Sequence, residues 1–283
     1  LNHYMGIAIS AFVATIIAWA STLLPAEWTS TPWHPLLACA LFIVPGVPLI
    51  NFVDDMLDNY IQVGIVRAVN TLLMVAAMAF GIAFAVKLCH IENFFPTISM
   101  VPHHQYWEYA IAAAISAMGF SMIFNIQRRL LWVVAIGGII AVCTRNFVNL
   151  GPSTDNIGLD MGLVIGSFSG AVLVSLIAIK AVHWFHVPNH VLTIPSVIPM
   201  IPGVLMYRML FGIININVQS IDQVTPLMKA IESGVNSGLV IMCIALGVAI
   251  PNIFGRRFIA SSKNKRLAEL LKERKARGKF VEW

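Results

Sequence analysis

Ile-Pro-Ser-Val-Ile-Pro-Met-Ile-Pro-Gly-Val-Leu-Met-Tyr-Arg, residues 194–208, sets three prolines and a glycine inside an apolar run long enough to cross a bilayer. A proline has no N–H to donate, and its ring clashes with the carbonyl four residues back. Pro195, Pro199 and Pro202 therefore release the carbonyls of Val191, Pro195 and Ile198 from helical pairing. In hydrocarbon each unpaired group costs several kcal/mol, so such a break survives only inside protein or against a cavity. A single proline would read as a kink without a ligand. Three at near-helical spacing, followed by Gly203, read as an interrupted membrane helix, which is where transporters place their sites.

Working outward, the break has an echo. Val44-Pro45-Gly46-Val47-Pro48-Leu49 resembles Ile201-Pro202-Gly203-Val204-Leu205-Met206 at an offset of 157 residues (45 to 202). Val69-Asn70-Thr71 and Ala79-Phe80-Gly81-Ile82-Ala83 resemble Val235-Asn236-Ser237 and Ala245-Leu246-Gly247-Val248-Ala249 at an offset of 166 (69 to 235). Upstream, Gly6, Ala11 and Ala18 face Gly166, Ala171 and Ala178 at an offset of 160 (6 to 166). Three blocks in one order point to an internal duplication.

At 58% hydrophobic and 11% charged residues, the 283-residue chain is too apolar for a soluble globule. Eight spans are predicted: 4–24, 35–53, 65–88, 106–124, 130–148, 159–182, 191–213 and 231–254. The first has no basic flank and no cleavage site, which sets it apart from a signal peptide. Cys39, Cys89, Cys143 and Cys243 show no paired spacing, so they imply neither a disulfide framework nor a zinc site. Residues 256–283 hold ten Lys or Arg against three Glu, so this tail is the source of the basic balance. It is expected to be cytoplasmic, as a solvated helix end, and nucleic-acid binding is not implied.

Counting back from the tail puts Arg128 and Arg129 inside, along with Asp54, Asp55 and Asp58 after the first break. The first broken helix then runs inward and the second outward, giving two inverted copies. The fold class is an all-α polytopic membrane protein with an N-terminal repeat over 1–105, a C-terminal repeat over 106–254 and a tail over 255–283. Small-residue stripes, Gly162-x-x-x-Gly166-x-x-x-Gly170 and Gly234-x-x-x-Gly238, are expected at helix contacts. Tyr106, Trp107, Trp132 and Trp184 fall near span ends, as an aromatic belt requires.

Charges inside or at the edge of a membrane are functional candidates. Here they are Asp54, Asp55, Asp58, Arg67, Glu108, Arg145, Asp160, Arg208 and Glu232. Glu108, Asp160 and Glu232 open spans, where an acid also suits the helix dipole. Asn70 and Asn236 occupy equivalent places in the two copies and suit either substrate binding or helix–helix hydrogen bonds. His183, His186 and His190 are interrupted by Pro188 and lack an acidic partner, so no metal is expected. Gly119-Phe120-Ser121 matches only the bare Gly-x-Ser of intramembrane proteases, and no phosphate-cradling Lys loop is present. The chain therefore reads as neither an enzyme nor an ATP-driven pump, with no cofactor.

These motifs resemble the threonine/serine exporter family, whose members pair an N-terminal and a C-terminal membrane unit. Pro45-Gly46-Val47-Pro48-Leu49-Ile50-Asn51 with Asp55, Gly64 and Arg67 is similar to the family's Pro-Gly-…-Asn-…-Asp-…-Gly-x-x-Arg run. Gly119-Phe120-…-Phe124-Asn125-…-Arg128-Arg129, then Ile198-Pro199-…-Pro202-Gly203-…-Tyr207-Arg208, is similar to the C-terminal unit. Asp54 departs from the pattern, which carries a basic residue beside the motif aspartate. The resemblance implies proton-driven export of small hydroxylated amino acids.

The site is expected between the two breaks, formed by Pro45, Gly46, Pro48, Asn51, Arg67, Asn70, Pro199, Pro202, Gly203, Tyr207, Arg208 and Asn236. Freed carbonyls near Leu41, Val44, Pro195 and Ile198 would take the substrate ammonium. Half-helix N-termini after Gly46 and Gly203, helped by Arg67 or Arg208, would take its carboxylate. Asp55 is the expected proton carrier. A small-dicarboxylate exporter such as one for succinate, and a passive channel, are the alternatives. The setting is the plasma (inner) membrane, and the partners are the substrate, protons, lipid and a second copy or partner chain. The second copy has two spans, 106–124 and 130–148, with no equivalent ahead of Tyr4–Leu24. Full activity is therefore expected to need two further helices, from a missing segment or a partner.

Overall fold

The computed structural model describes residues 2–21, 23, 46–89, 105–152, 157–185, 187–214 and 224–276, and every long element among them is an α-helix. The helices are α1 (His3–Ser21), α2 (Gly46–Leu57), α3 (Ile61–Leu88), α4 (Tyr106–Ile123), α5 (Leu131–Asn149), α6 (Leu163–Phe185), α7 (Asn189–Val197), α8 (Gly203–Ile214) and α9 (Val224–Ala276). The chain is an all-α polytopic membrane protein. Among the described residues five segments are long and apolar enough to cross a membrane: His3–Ala20, Ile61–Leu88, Arg128–Asn149, Leu163–Val182 and Leu227–Gly255. Of the three remaining predicted spans, 35–53 lies partly outside the described residues. The span over 191–213 is split between α7 and α8, and α4 opens on the polar turn Tyr106-Trp107-Glu108-Tyr109.

Two reversals are tight for a visible reason. Asn59, between α2 and α3, and Asn125, after α4, take φ of 67° and 55°. Asn tolerates this left-handed conformation, which ends a helix and turns the chain. The predicted interruption is present: α7 stops at Val197, a 3₁₀ turn covers Ile198–Met200, and α8 restarts at Gly203. The start of the tail is helical, since α9 continues unbroken past its apolar part as far as Ala276.

The duplicated blocks make the same contact twice. On α3, a Cβ added at Gly81 would collide with the Ala8 carbonyl and with Ala11 Cβ on α1. On α9, one added at Gly247 would lie 2.9 Å from the Phe168 carbonyl and 2.8 Å from Ala171 Cβ on α6. Both pairs obey the sequence offsets, 166 for the glycines and 160 for their partners. Without apolar burial to drive association in lipid, such close backbone approach is what holds helices together. The two half-helices also cross over: α2 packs on α3 and α9, and α8 packs on α9 and α3. One core cluster joins Leu49 of α2 with Val75 and Met78 of α3, Met206 of α8 and Ile241 of α9.

The glycine stripes are partly used. Gly166 and Gly170 face the Arg145 and Ala141 carbonyls of α5, and Gly234 faces Met209, but nothing lies within 4 Å of a Cβ at Gly162 or Gly238. Gly162 precedes α6 and takes a φ of 87°, so it serves a turn instead.

Candidate functional site

The second Pro-Gly interruption meets Gly46, the described end of the first Pro-Gly motif. Gly46, the first residue of α2, is buried so closely against the second break that an added Cβ would sit 2.5 Å from Ile201 Cδ1. A side chain there would first displace the Ile201 methyl, so the glycine lets the two segments pack closely. Pro45 lies outside the described residues, whereas Pro48 and Asn51 follow half-buried in α2. On the other side Pro199 and Pro202 are half-buried, and Gly203 is buried at the start of α8. Tyr207 lies in α8, as does Arg208, which is half-buried.

The backbone inside the second break is partly re-satisfied. Ile201 N–H donates to the Ile198 carbonyl at 3.0 Å, and Gly203 N–H donates to the Ile201 carbonyl at 2.8 Å. The Ile198 carbonyl expected to be free is therefore already engaged, because the chain tightens to 3₁₀ geometry after Pro199. The Met200 carbonyl is claimed by a side chain instead. Arg145, near the end of α5, donates Nη1 to it at 3.2 Å and Nε to Asn146 Oδ1 at 3.4 Å. Tyr109 of α4 stands within electrostatic reach of the same guanidinium. Sequence reading left Arg145 at an outer span edge; an arginine within an apolar helix was the signal, and its partner 55 residues on was invisible.

The charged pair of the first unit stands apart from the breaks. Arg67 Nη1 meets Asp55 Oδ2 at 2.5 Å. Asp55 is nine residues beyond Gly46, and at about 1.5 Å per residue that is about 13 Å along α2. Arg67 is thus at the opposite end of α2 from the half-helix N-terminus it was expected to assist, and it neutralises Asp55 instead. At the same end His190 of α7 lies 3.9 Å from Asp54 of α2. Next to it Asn189 donates to Asn252 of α9, leaving Asn189 Oδ1 and Asn252 Nδ2 buried without a partner.

The repeat-related amides differ. Asn70 accepts a hydrogen bond from Tyr4 Oη at 2.6 Å and is half-buried, while Asn236 is exposed on α9. The structure therefore does not bring them together at the breaks as matched binding groups: Asn70 ties α1 to α3, and Asn236 faces outward. Of the histidines, His190 is near Asp54, and His186 lies outside the described residues.

Two family models match the chain, both of threonine/serine exporters, one over residues 109–254 and the other over residues 1–89. The chain belongs to the threonine/serine exporter family. No solved structure matches it. Membership makes the chain a membrane transport protein, an exporter of amino acids that works on a small molecule in a lipid bilayer. In this exporter the junction between the two matched regions lies between α3 and α4, so the meeting of Gly46 with Ile201 joins one matched region to the other.

Proposed function

We propose that this exporter carries threonine and serine out of the cell by proton-coupled secondary transport, with its substrate held where the two Pro-Gly breaks meet. The observation that carries the reading is the contact of Gly46 with Ile201. The N-terminus of α8 at Gly203 and the partly unpaired backbone of residues 198–202 come together there with Gly46 of α2. N-termini favour a carboxylate and free carbonyls favour an ammonium, so the junction suits a zwitterionic amino acid. Pro45, Pro48, Asn51, Pro199, Pro202, Tyr207 and Arg208 surround it in sequence.

Asp55 is the proton carrier in this reading: protonation would release Arg67 from the ion pair at the inner end of α2. The repeats over 1–105 and 106–254 are inverted, the tail from 255 is cytoplasmic, and the protein resides in the inner membrane. The repeated Gly81 and Gly247 contacts support the duplication.

The test is counterflow in proteoliposomes with labelled threonine, serine and succinate, with and without an imposed proton gradient. Uphill threonine movement that collapses with the gradient is the expected result. Succinate movement without threonine movement would make it a dicarboxylate exporter, and downhill flux alone would make it a channel.

A further inference from the structure

We propose that Arg145 is the residue that anchors the substrate's carboxylate, taking the role that sequence reasoning gave to Arg67 or Arg208. The proposal rests on the amino-acid exporter reading above and adds a residue from α5 to the two breaks.

The geometry begins with the backbone. Gly166 of α6 comes so close that an added Cβ would sit 2.6 Å from the Arg145 carbonyl and 3.2 Å from Asn149 Cβ. That approach fixes the last turns of α5 against α6 and aims the Arg145 side chain at α7 and the 3₁₀ turn. There Nη1 holds the Met200 carbonyl at 3.2 Å. Met200 is fully buried, and its neighbour Ile201 is the residue that touches Gly46. One guanidinium is therefore tied to the turn at which the half-helices converge.

The chemistry follows from what the guanidinium has and lacks. Among the described residues no carboxylate forms an ion pair with Arg145; the two ion-pair contacts are Arg67 with Asp55 and His190 with Asp54. A guanidinium has five N–H donors, and here two of its bonds go to a neutral carbonyl and a neutral amide. Such a group keeps its full charge at any physiological pH, and its planar fork matches a carboxylate with two parallel hydrogen bonds. Arg67, by contrast, already faces a carboxylate. A substrate carboxylate at the junction gains from Arg145 and from the N-terminus of α8 together. The bond to Met200 keeps the guanidinium in place.

The experiment uses the full chain in proteoliposomes, with labelled threonine counterflow competed by unlabelled threonine or by threoninol, in which a hydroxymethyl group replaces the carboxylate. Wild-type protein is expected to prefer threonine to threoninol by tenfold or more. Arg145→Gln should raise the threonine KM at least tenfold and abolish that preference, and Arg145→Lys should restore part of it. An unchanged preference in Arg145→Gln, with only the maximal rate reduced, overturns the proposal. Should both variants be inert, the wild-type protein still decides: saturating threonine, but not threoninol, should protect Arg145 from phenylglyoxal, read by peptide mass spectrometry. Equal modification with and without threonine overturns it. If wild-type protein moves succinate and not threonine, the amino-acid reading fails separately, and succinate replaces threonine as the protecting carboxylate.

Discussion

α1 and α6 are matched in sequence and make the same glycine contact with their long neighbours, yet they sit in unlike surroundings. Among the described residues α6 packs on α5, α7 and α9, while the principal partner of α1 is α3. The apolar window of α1 is 17% buried against 39% for that of α6. Met5, Ile9, Val13 and Ile17 of α1 all face outward. The difference extends to single hydrogen bonds. Thr15 and Ser175 are equivalent at the offset of 160, but Thr15 donates back to the Ala11 carbonyl of its own helix, whereas Ser175 donates across to the Val248 carbonyl of α9. Matched stretches of sequence thus keep one glycine contact, while the load each contact carries depends on what surrounds it.

The comparison can be broken most severely at the breaks. Pro202→Ala with Gly203→Leu should restore a continuous helix and abolish transport, at least a hundredfold, while membrane insertion measured by protease protection stays normal. Normal export by the well-inserted double mutant would remove the site from the break. The next effect belongs to the charged pair, which exists in the first unit only, since Gly212 and Ser233 stand where the offsets would place partners for Asp55 and Arg67. Asp55→Asn should cut uphill export tenfold or more and leave counterflow, which needs no net proton movement, much less affected. Equal loss of both would point to a structural pair.

The glycine contacts sharpen the comparison further. Gly81→Leu and Gly247→Leu both overpack a helix contact, and overpacking costs about 1–3 kcal/mol. The Gly247 variant should lose more in detergent unfolding, because α6 is hemmed in by α5 and α7, whereas α1 packs chiefly on α3 among the described residues. A larger loss for Gly81→Leu would reverse this account. The smallest difference is at the hydroxyls. Ser175→Ala should cost about 0.6 kcal/mol, the typical worth of an interhelical bond in a membrane protein. Thr15→Ala should be near neutral, because the α1 carbonyl it releases keeps its helical partner.

What could be read from residues alone was whatever depends on local covalent chemistry or on repeated spacing. The interruption at 198–202 follows from prolines that have no N–H, and the Gly81 and Gly247 contacts follow from two constant offsets. The family motif named Asp55 and Arg67 together, although not as the ion pair that they form. What could not be read was how far along a helix a residue ends up from a break. Arg67 was placed at the half-helix start because it is close in motif terms, although the length of α2 separates them. Arg145 was missed because a guanidinium finds a carbonyl on another helix only after α5 and α6 have packed through Gly166.

α9 touches both half-helices, α2 and α8, and then runs on past Gly255 for another 21 residues to Ala276 without a break. At about 1.5 Å per residue that projection is about 30 Å long. Mechanically it is a pointer whose root lies near Asn252, at the charged end of α2 and away from the breaks. A rotation of about 10° at its root displaces the tip by about 5 Å, an amplification that follows from helical rise alone. A pair of spectroscopic labels, one on the projection and one on α5, would read any such rotation without disturbing the residues of the breaks.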